Sequence, residues 1–170
     1  MAGYGLPNEQ HLSVVLQKSL EFDGHNIEII NGSVSGSTSA GGLNIAEWTL
    51  SENNIDLMIL CLGANDMLRG INPKETKNNL EEIIKIAKNK NIKVIIAGMI
   101  APTSYGFVYK KSFDKIFSDL SKKYKLQLIP FLLKGVAQKP EFNLSDGMHP
   151  NDQGTIIIGN TLKKAILENL

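Results

Sequence analysis

Cysteine is almost absent from this 170-residue chain. The single Cys61 cannot close an intramolecular disulfide, and its place inside the apolar run IDLMILCLG marks a small buried residue rather than a catalytic thiol. Neither sign of charge is in excess. Eighteen Lys and Arg against 17 Asp and Glu leave a formal net charge of +1, so no general field draws nucleic acid or an anionic membrane. Long hydrophobic runs are missing too: no stretch approaches a membrane span, which excludes stable membrane insertion, and the N-terminus has neither the basic region nor the apolar core of a signal peptide. Three histidines include no ligand-spaced pair, and one cysteine builds no thiolate zinc site, so no metal is expected. The glycines of SVSGSTSAGG form neither a dinucleotide fingerprint nor a P-loop, so no nucleotide cofactor is expected. The chain shows no internal repeat, low-complexity tract or linker, and its length fits one domain with a real core.

What is present alternates. Leu12, Val15, Leu16 and Leu20 recur at helical spacing after Pro7 until Asp23-Gly24. NIEIIN reads as a short strand. GSVSGSTSAGG, residues 32–42, is a loop feeding a helix through Leu43, Ala46 and Leu50. IDLMILCLG and NIKVIIAGMI are continuous apolar runs of the kind buried on both faces of a parallel sheet. GANDMLRGINP follows the first as a loop, and a helix from Pro73 to about Lys88 presents Leu80, Ile83 and Ile84. APTSYGFVY is another loop, followed by a helix carrying Phe113, Ile116, Phe117 and Leu120. KLQLIPF is the last strand, and NDQGTIIIGNTLKKAILENL closes the chain as a helix. This order predicts an α/β domain with a mainly parallel sheet and right-handed crossovers, whose polar loops gather at the C-terminal strand ends where ligands bind.

Three of those loops offer unlike chemical tools. SDGMHPND sets Asp146 three positions ahead of His149, close enough for a carboxylate to reach an imidazole nitrogen. Such a pair normally serves a hydroxyl or thiol elsewhere: His149 would move protons while Asp146 holds its tautomer. Gly36 in SVSGSTS and Asn65 in LGANDMLRG suit an oxyanion hole, Gly36 with a backbone N–H and Asn65 with its side-chain amide. Taken singly, each also fits a turn: Asp146 as a cap, Asn65 and Asp66 as Asx-turn residues, Gly36 as a positive-φ position. Ser33, Ser35, Ser37, Thr38 and Ser39 read as loop and N-cap residues, and Ser104 as substrate-side. Arg69, the only arginine, is expected to pin its loop through a charge-assisted hydrogen bond. Trp48 and Tyr4 read as packing residues.

INGSVSGSTSAGGL, LGANDMLRGINP and SDGMHPND resemble, in order and spacing, the later blocks of the SGNH (GDSL-type) hydrolases, particularly their bacterial thioesterase, lysophospholipase and arylesterase branch. The resemblance spans essentially the whole chain. It implies a flavodoxin-like three-layer α/β/α fold with sheet order 2-1-3-4-5. The implied activity is that of a serine ester hydrolase acting on a small-molecule ester or thioester through an acyl-enzyme. Gly36 and Asn65 match the oxyanion-hole positions, and Asp146 and His149 match the triad's acid and base. Relatives of this kind are often exported, to the periplasm or beyond.

One block has no match. The family opens with an apolar strand running into Gly-Asp-Ser-Leu, whose serine is the nucleophile, and then typically reads Ala-Gly-Tyr; Ala2, Gly3 and Tyr4 fit that continuation. The expectation is that the nucleophile lies immediately upstream of Met1, with residues 1–170 a single domain truncated at its N-terminus. The first strand would then leave a gap of roughly 9 to 10 Å between NIEIIN and IDLMILCLG, with unpaired backbone on both sides. A start at an internal methionine of a longer chain is favoured over a remnant needing a strand from elsewhere or a rearranged sheet. An uncovered sheet interior would invite strand exchange. The rival expectation is a non-catalytic relative that keeps the pocket and binds an ester-like ligand or a partner without turnover.

Overall fold

The computed structural model describes residues 2–51 and 55–169. Among them are six α-helices and three strands. In chain order these are α1 (Leu12–Phe22), α2 (Ser39–Thr49), β1 (Leu57–Leu60), α3 (Ala64–Leu68), α4 (Pro73–Asn89), β2 (Lys93–Ala97), α5 (Phe107–Tyr124), β3 (Gln127–Ile129) and α6 (Asp152–Leu167). The chain divides into two compact units: Gly36–Phe131, and the two ends up to Ser35 and from Leu132.

The Gly36–Phe131 unit holds the sheet, in which β1, β2 and β3 lie side by side in that order and all parallel. Met58 pairs with Val94 and Leu60 with Ile96, and Ile96 in turn with Leu128. These same-face residues pack into one apolar cluster with Leu80, Ile83, Ile84 and Ala87 of α4 and Phe113, Ile116, Phe117 and Leu120 of α5. Both helices owe their positions to that apolar stripe at three- and four-residue spacing. Leu80 and Ile84 are fully buried, a burial that stabilises by roughly 1.5–3 kcal/mol for each such side chain. Asn72 caps α4 by accepting from the Lys74 N–H at 3.0 Å, with Pro73 in the first turn, where a missing N–H costs nothing. Thr38 caps α2 by accepting from the Gly41 N–H.

In the other unit α1 packs along α6, with Leu12, Leu16 and Leu20 buried on one helix and Ile158, Leu162 and Ile166 on the other. Lys163 of α6 ties them further, donating to the Ser19 carbonyl at 3.0 Å and hydroxyl at 2.9 Å and pairing with Asp23 at 2.5 Å.

NIEIIN does not form a strand. Residues 26–31 belong to no strand, and Gln17 of α1 does in part what a neighbouring strand would do. Its amide donates to the Ile27 carbonyl at 2.8 Å and accepts from the Ile29 N–H at 2.7 Å. Ile27 and Ile29 are half-buried while Glu28 and Ile30 are exposed, so the period-two pattern survives. A strand is defined by its ladder, which a sequence pattern alone does not supply. Two loops also carry more structure than their composition suggests: residues 64–68 wind into α3, and α5 begins at Phe107, inside APTSYGFVY. Cys61 is half-buried rather than buried, and the desolvation of its sulfur pushes the thiol pKa up, as expected of an unreactive cysteine.

Candidate active site

The Asp146–His149 pair is built by a short, heavily bonded loop. Asn143 and Pro150 form an isolated antiparallel bridge, and the Leu144 N–H donates to the His149 carbonyl at 2.7 Å. Buried Asn143 donates to the carbonyls of Val136 and Lys139, both at 2.7 Å, anchoring the loop's entry. Asn151 caps α6 and secures its exit. Within the loop, Asp146 Oδ1 accepts from the backbone N–H groups of Met148 at 2.8 Å and His149 at 2.9 Å. Asp146 Oδ2 meets His149 Nδ1 at 2.7 Å.

These bonds hold the Asp146 carboxyl down at about 2, against an ordinary 3.8. The His149 backbone N–H contributes most, followed by the His149 ring and the Met148 N–H. An ionised carboxylate only accepts, so the proton shared with it sits on Nδ1 and the Nε2 lone pair is left free. Within its own unit no described hydroxyl is bonded to Nε2. The Tyr4 ring lies over the imidazole, centroid to centroid 4.3 Å with the planes 32° apart. Tyr4, read from sequence as a packing residue, therefore packs on the His149 ring.

Because the folded pKa of Asp146 is below its unfolded value, the stabilisation it brings is complete above about pH 4 and is lost as pH falls through about 2. The carboxyl carbon of Asp146, followed by NMR, is expected to titrate near pH 2. Any acid limb of a pH–rate profile above pH 4 should then be unaffected by protonation of Asp146. A midpoint near 3.8 would remove this account of the pair.

Gly36 and Asn65 come together in the other unit. Gly36 has φ 73°, a conformation that glycine adopts without the Cβ penalty of other residues. Its carbonyl accepts from Arg69 Nη2 at 2.9 Å, the charge-assisted pin expected of the only arginine. Asn65 lies in the first turn of α3 and donates from Nδ2 to the Ser37 carbonyl at 3.0 Å. A primary amide has two N–H groups, so one remains for a ligand. The hydroxyls of Ser37, Thr38 and Ser39 are engaged within this unit, with the Thr38 carbonyl, the Gly41 N–H and the Asp66 carboxylate respectively. Asp66, read from sequence only as a turn residue, is completely buried. Among the described residues no three His, Cys, Asp or Glu side chains cluster as metal ligands, and no helix is long and apolar enough to cross a membrane.

The sequence model of the GDSL-like lipase/acylhydrolase family matches residues 1–155, a span that contains Gly36, Asn65, Asp146 and His149. The chain belongs to that family. An arylesterase of Vibrio mimicus is 34% identical over 169 residues, covering 99% of this chain and 84% of that protein. Among solved structures, the crystal structure of TesA superposes with a TM-score of 0.93 at 31% identity, covering 99% of this chain and 94% of the other. The psychrotrophic esterase EstA from Pseudoalteromonas sp., in a structure inhibited by monoethylphosphonate, also gives 0.93, at 29% identity, with 98% and 91% covered. The α/β fold with a parallel sheet is thus that of this acylhydrolase family, whose chemistry is ester hydrolysis.

Proposed function

We propose that the chain supplies the base, its orienting acid and two oxyanion donors of a serine ester hydrolase. Its substrates are carboxylic esters or thioesters of small to medium acyl chains. The observation that carries the reading is the Asp146–His149 pair, with Nδ1 on the carboxylate and Nε2 open. His149 Nε2 takes the serine proton as the serine oxygen attacks the carbonyl carbon. The resulting oxyanion is held by the Gly36 N–H and the free Asn65 N–H. The proton on Nε2 then passes to the departing alkoxide or thiolate, and a water repeats the cycle on the acyl-enzyme.

The two compact units would act as parts of one hydrolase domain, in keeping with a family match that runs through both. None of the described serines would be the nucleophile. The test compares the 170-residue chain with the same chain carrying a grafted N-terminal strand that ends in Gly-Asp-Ser-Leu, on chromogenic esters and a matched thioester. Turnover in the grafted form alone is expected. His149-dependent turnover by the ungrafted chain would overturn the nucleophile assignment, and inactivity of both folded forms would overturn the hydrolase reading.

A further inference from the structure

Asp66 is fully buried on α3, and so are Ser39 and Thr76 around it. Its Oδ2 accepts from the Ser39 N–H at 2.7 Å, and its Oδ1 accepts from the Ser39 and Thr76 hydroxyls. Asn79 of α4 completes the set by donating to the Ser39 hydroxyl at 3.0 Å. None of these partners is a cation. A carboxylate taken out of water onto neutral donors is a costly way to join three helices, which apolar side chains would join as well. What the carboxylate adds is direction: both oxygens are engaged by donors from α2 and α4, and α3 cannot rotate or slide without breaking these bonds.

The residue before Asp66 is Asn65. Three side chains of this segment reach the same stretch of chain: Asn65 bonds the Ser37 carbonyl, Asp66 the Ser39 N–H and Arg69 the Gly36 carbonyl. The Arg69 bond is exposed to water, the Asn65 bond is half-buried, and only the Asp66 bonds are fully sealed. An oxyanion donor works within a few tenths of an ångström of its mark. We propose that Asp66 is a positioning residue: it fixes α3 against the start of α2, so that the Asn65 amide and the Gly36 N–H keep one separation. This rests on the oxyanion role assigned above to Asn65 and Gly36.

The side-chain NH₂ resonances of Asn65, identified by their loss in Asn65→Asp, report the position of that amide in the 170-residue chain whether or not it turns over an ester. In Asp66→Ala the exchange of these protons is expected to accelerate at least about tenfold, as a bond once held in place opens locally. Backbone amides of β2 and α5 stay protected. Asp66→Asn keeps an acceptor for the Ser39 N–H and should restore most of the signature; Ser39→Ala should lose part of it. In the ester-hydrolysing form, Asp66→Ala lowers kcat about tenfold to a hundredfold, less than the loss of a whole donor, with KM within about threefold. An unchanged Asn65 amide in a folded Asp66→Ala overturns the proposal. Should that variant unfold, Asp66→Asn and Ser39→Ala decide by the same measure. Failure of the hydrolase reading itself would show separately, as absence of His149-dependent turnover with the Asn65 response intact.

Discussion

His149→Ala is expected to lower kcat/KM about a hundredfold to ten-thousandfold in the form that turns over the ester, the range that a positioned acid–base group supplies. Alanine leaves the loop standing, because the His149 carbonyl and N–H, not its ring, bond Leu144 and Asp146 Oδ1. Asp146→Asn should fall comparably, for a reason specific to this loop. The two backbone N–H groups of Met148 and His149 converge on Oδ1, so an asparagine keeps its oxygen there and turns its NH₂ toward Nδ1. That nitrogen must then accept, the ring proton moves to Nε2, and the lone pair that would take the nucleophile's proton is gone. Initial rates on a chromogenic ester, with circular dichroism to confirm folding, decide the matter. Either variant within about threefold of the parent rate would remove the pair from the chemistry, since an acid–base group is worth far more.

The contrast between this pair and the proposed oxyanion donors shows what a sequence carries. An aspartate and a histidine three positions apart, on a turn bounded by Gly147 and Pro150, can meet by local geometry alone, and they do. Gly36 and Asn65 are 29 positions apart: each residue type suits an oxyanion donor, but that the two would serve one site was expected from likeness to a family. Asp66 stayed hidden because its meaning is set by partners 27 and 10 residues away; in the chain it is one more polar residue after an asparagine. β1 and β2 were legible because a continuous apolar run can rest only where both faces are covered, whereas β3 (Gln127–Ile129) came from the shorter, interrupted segment KLQLIPF that follows the α5 pattern. NIEIIN has the right alternation, but alternation records which faces are wet and dry, not whether a neighbouring strand exists. The short helix α3 lies in a segment bounded by Gly63 and Gly70, whose composition is that of a turn.

Phe113→Ala is expected to destabilise the chain by about 3–5 kcal/mol, the usual cost of emptying a sealed aromatic site. For a chain of this size that corresponds to a fall in Tm of roughly 6–20 °C. Phe113 is completely buried on α5, edge-on to Phe117 with centroids 5.7 Å apart and stacked with Tyr109 at 6.0 Å. Such pairs add about 0.5–1.5 kcal/mol beyond burial itself. The cavity would open directly beneath the turn that starts α3. Gly63 caps that helix at φ 110°, and a Cβ there would stand 3.3 Å from Phe117 Cζ and 3.6 Å from Phe113 Cζ. The two phenyl rings are thus the floor under Gly63, two residues before Asn65. Removing one should loosen the Asn65 amide as well as lower Tm, whereas Leu120→Ala, on the same buried face but two turns further along α5, should lower Tm alone. Thermal unfolding and Asn65 side-chain exchange measured on both variants separate the two effects. Equal responses of the amide would show that the floor beneath α3 plays no part in holding the donor.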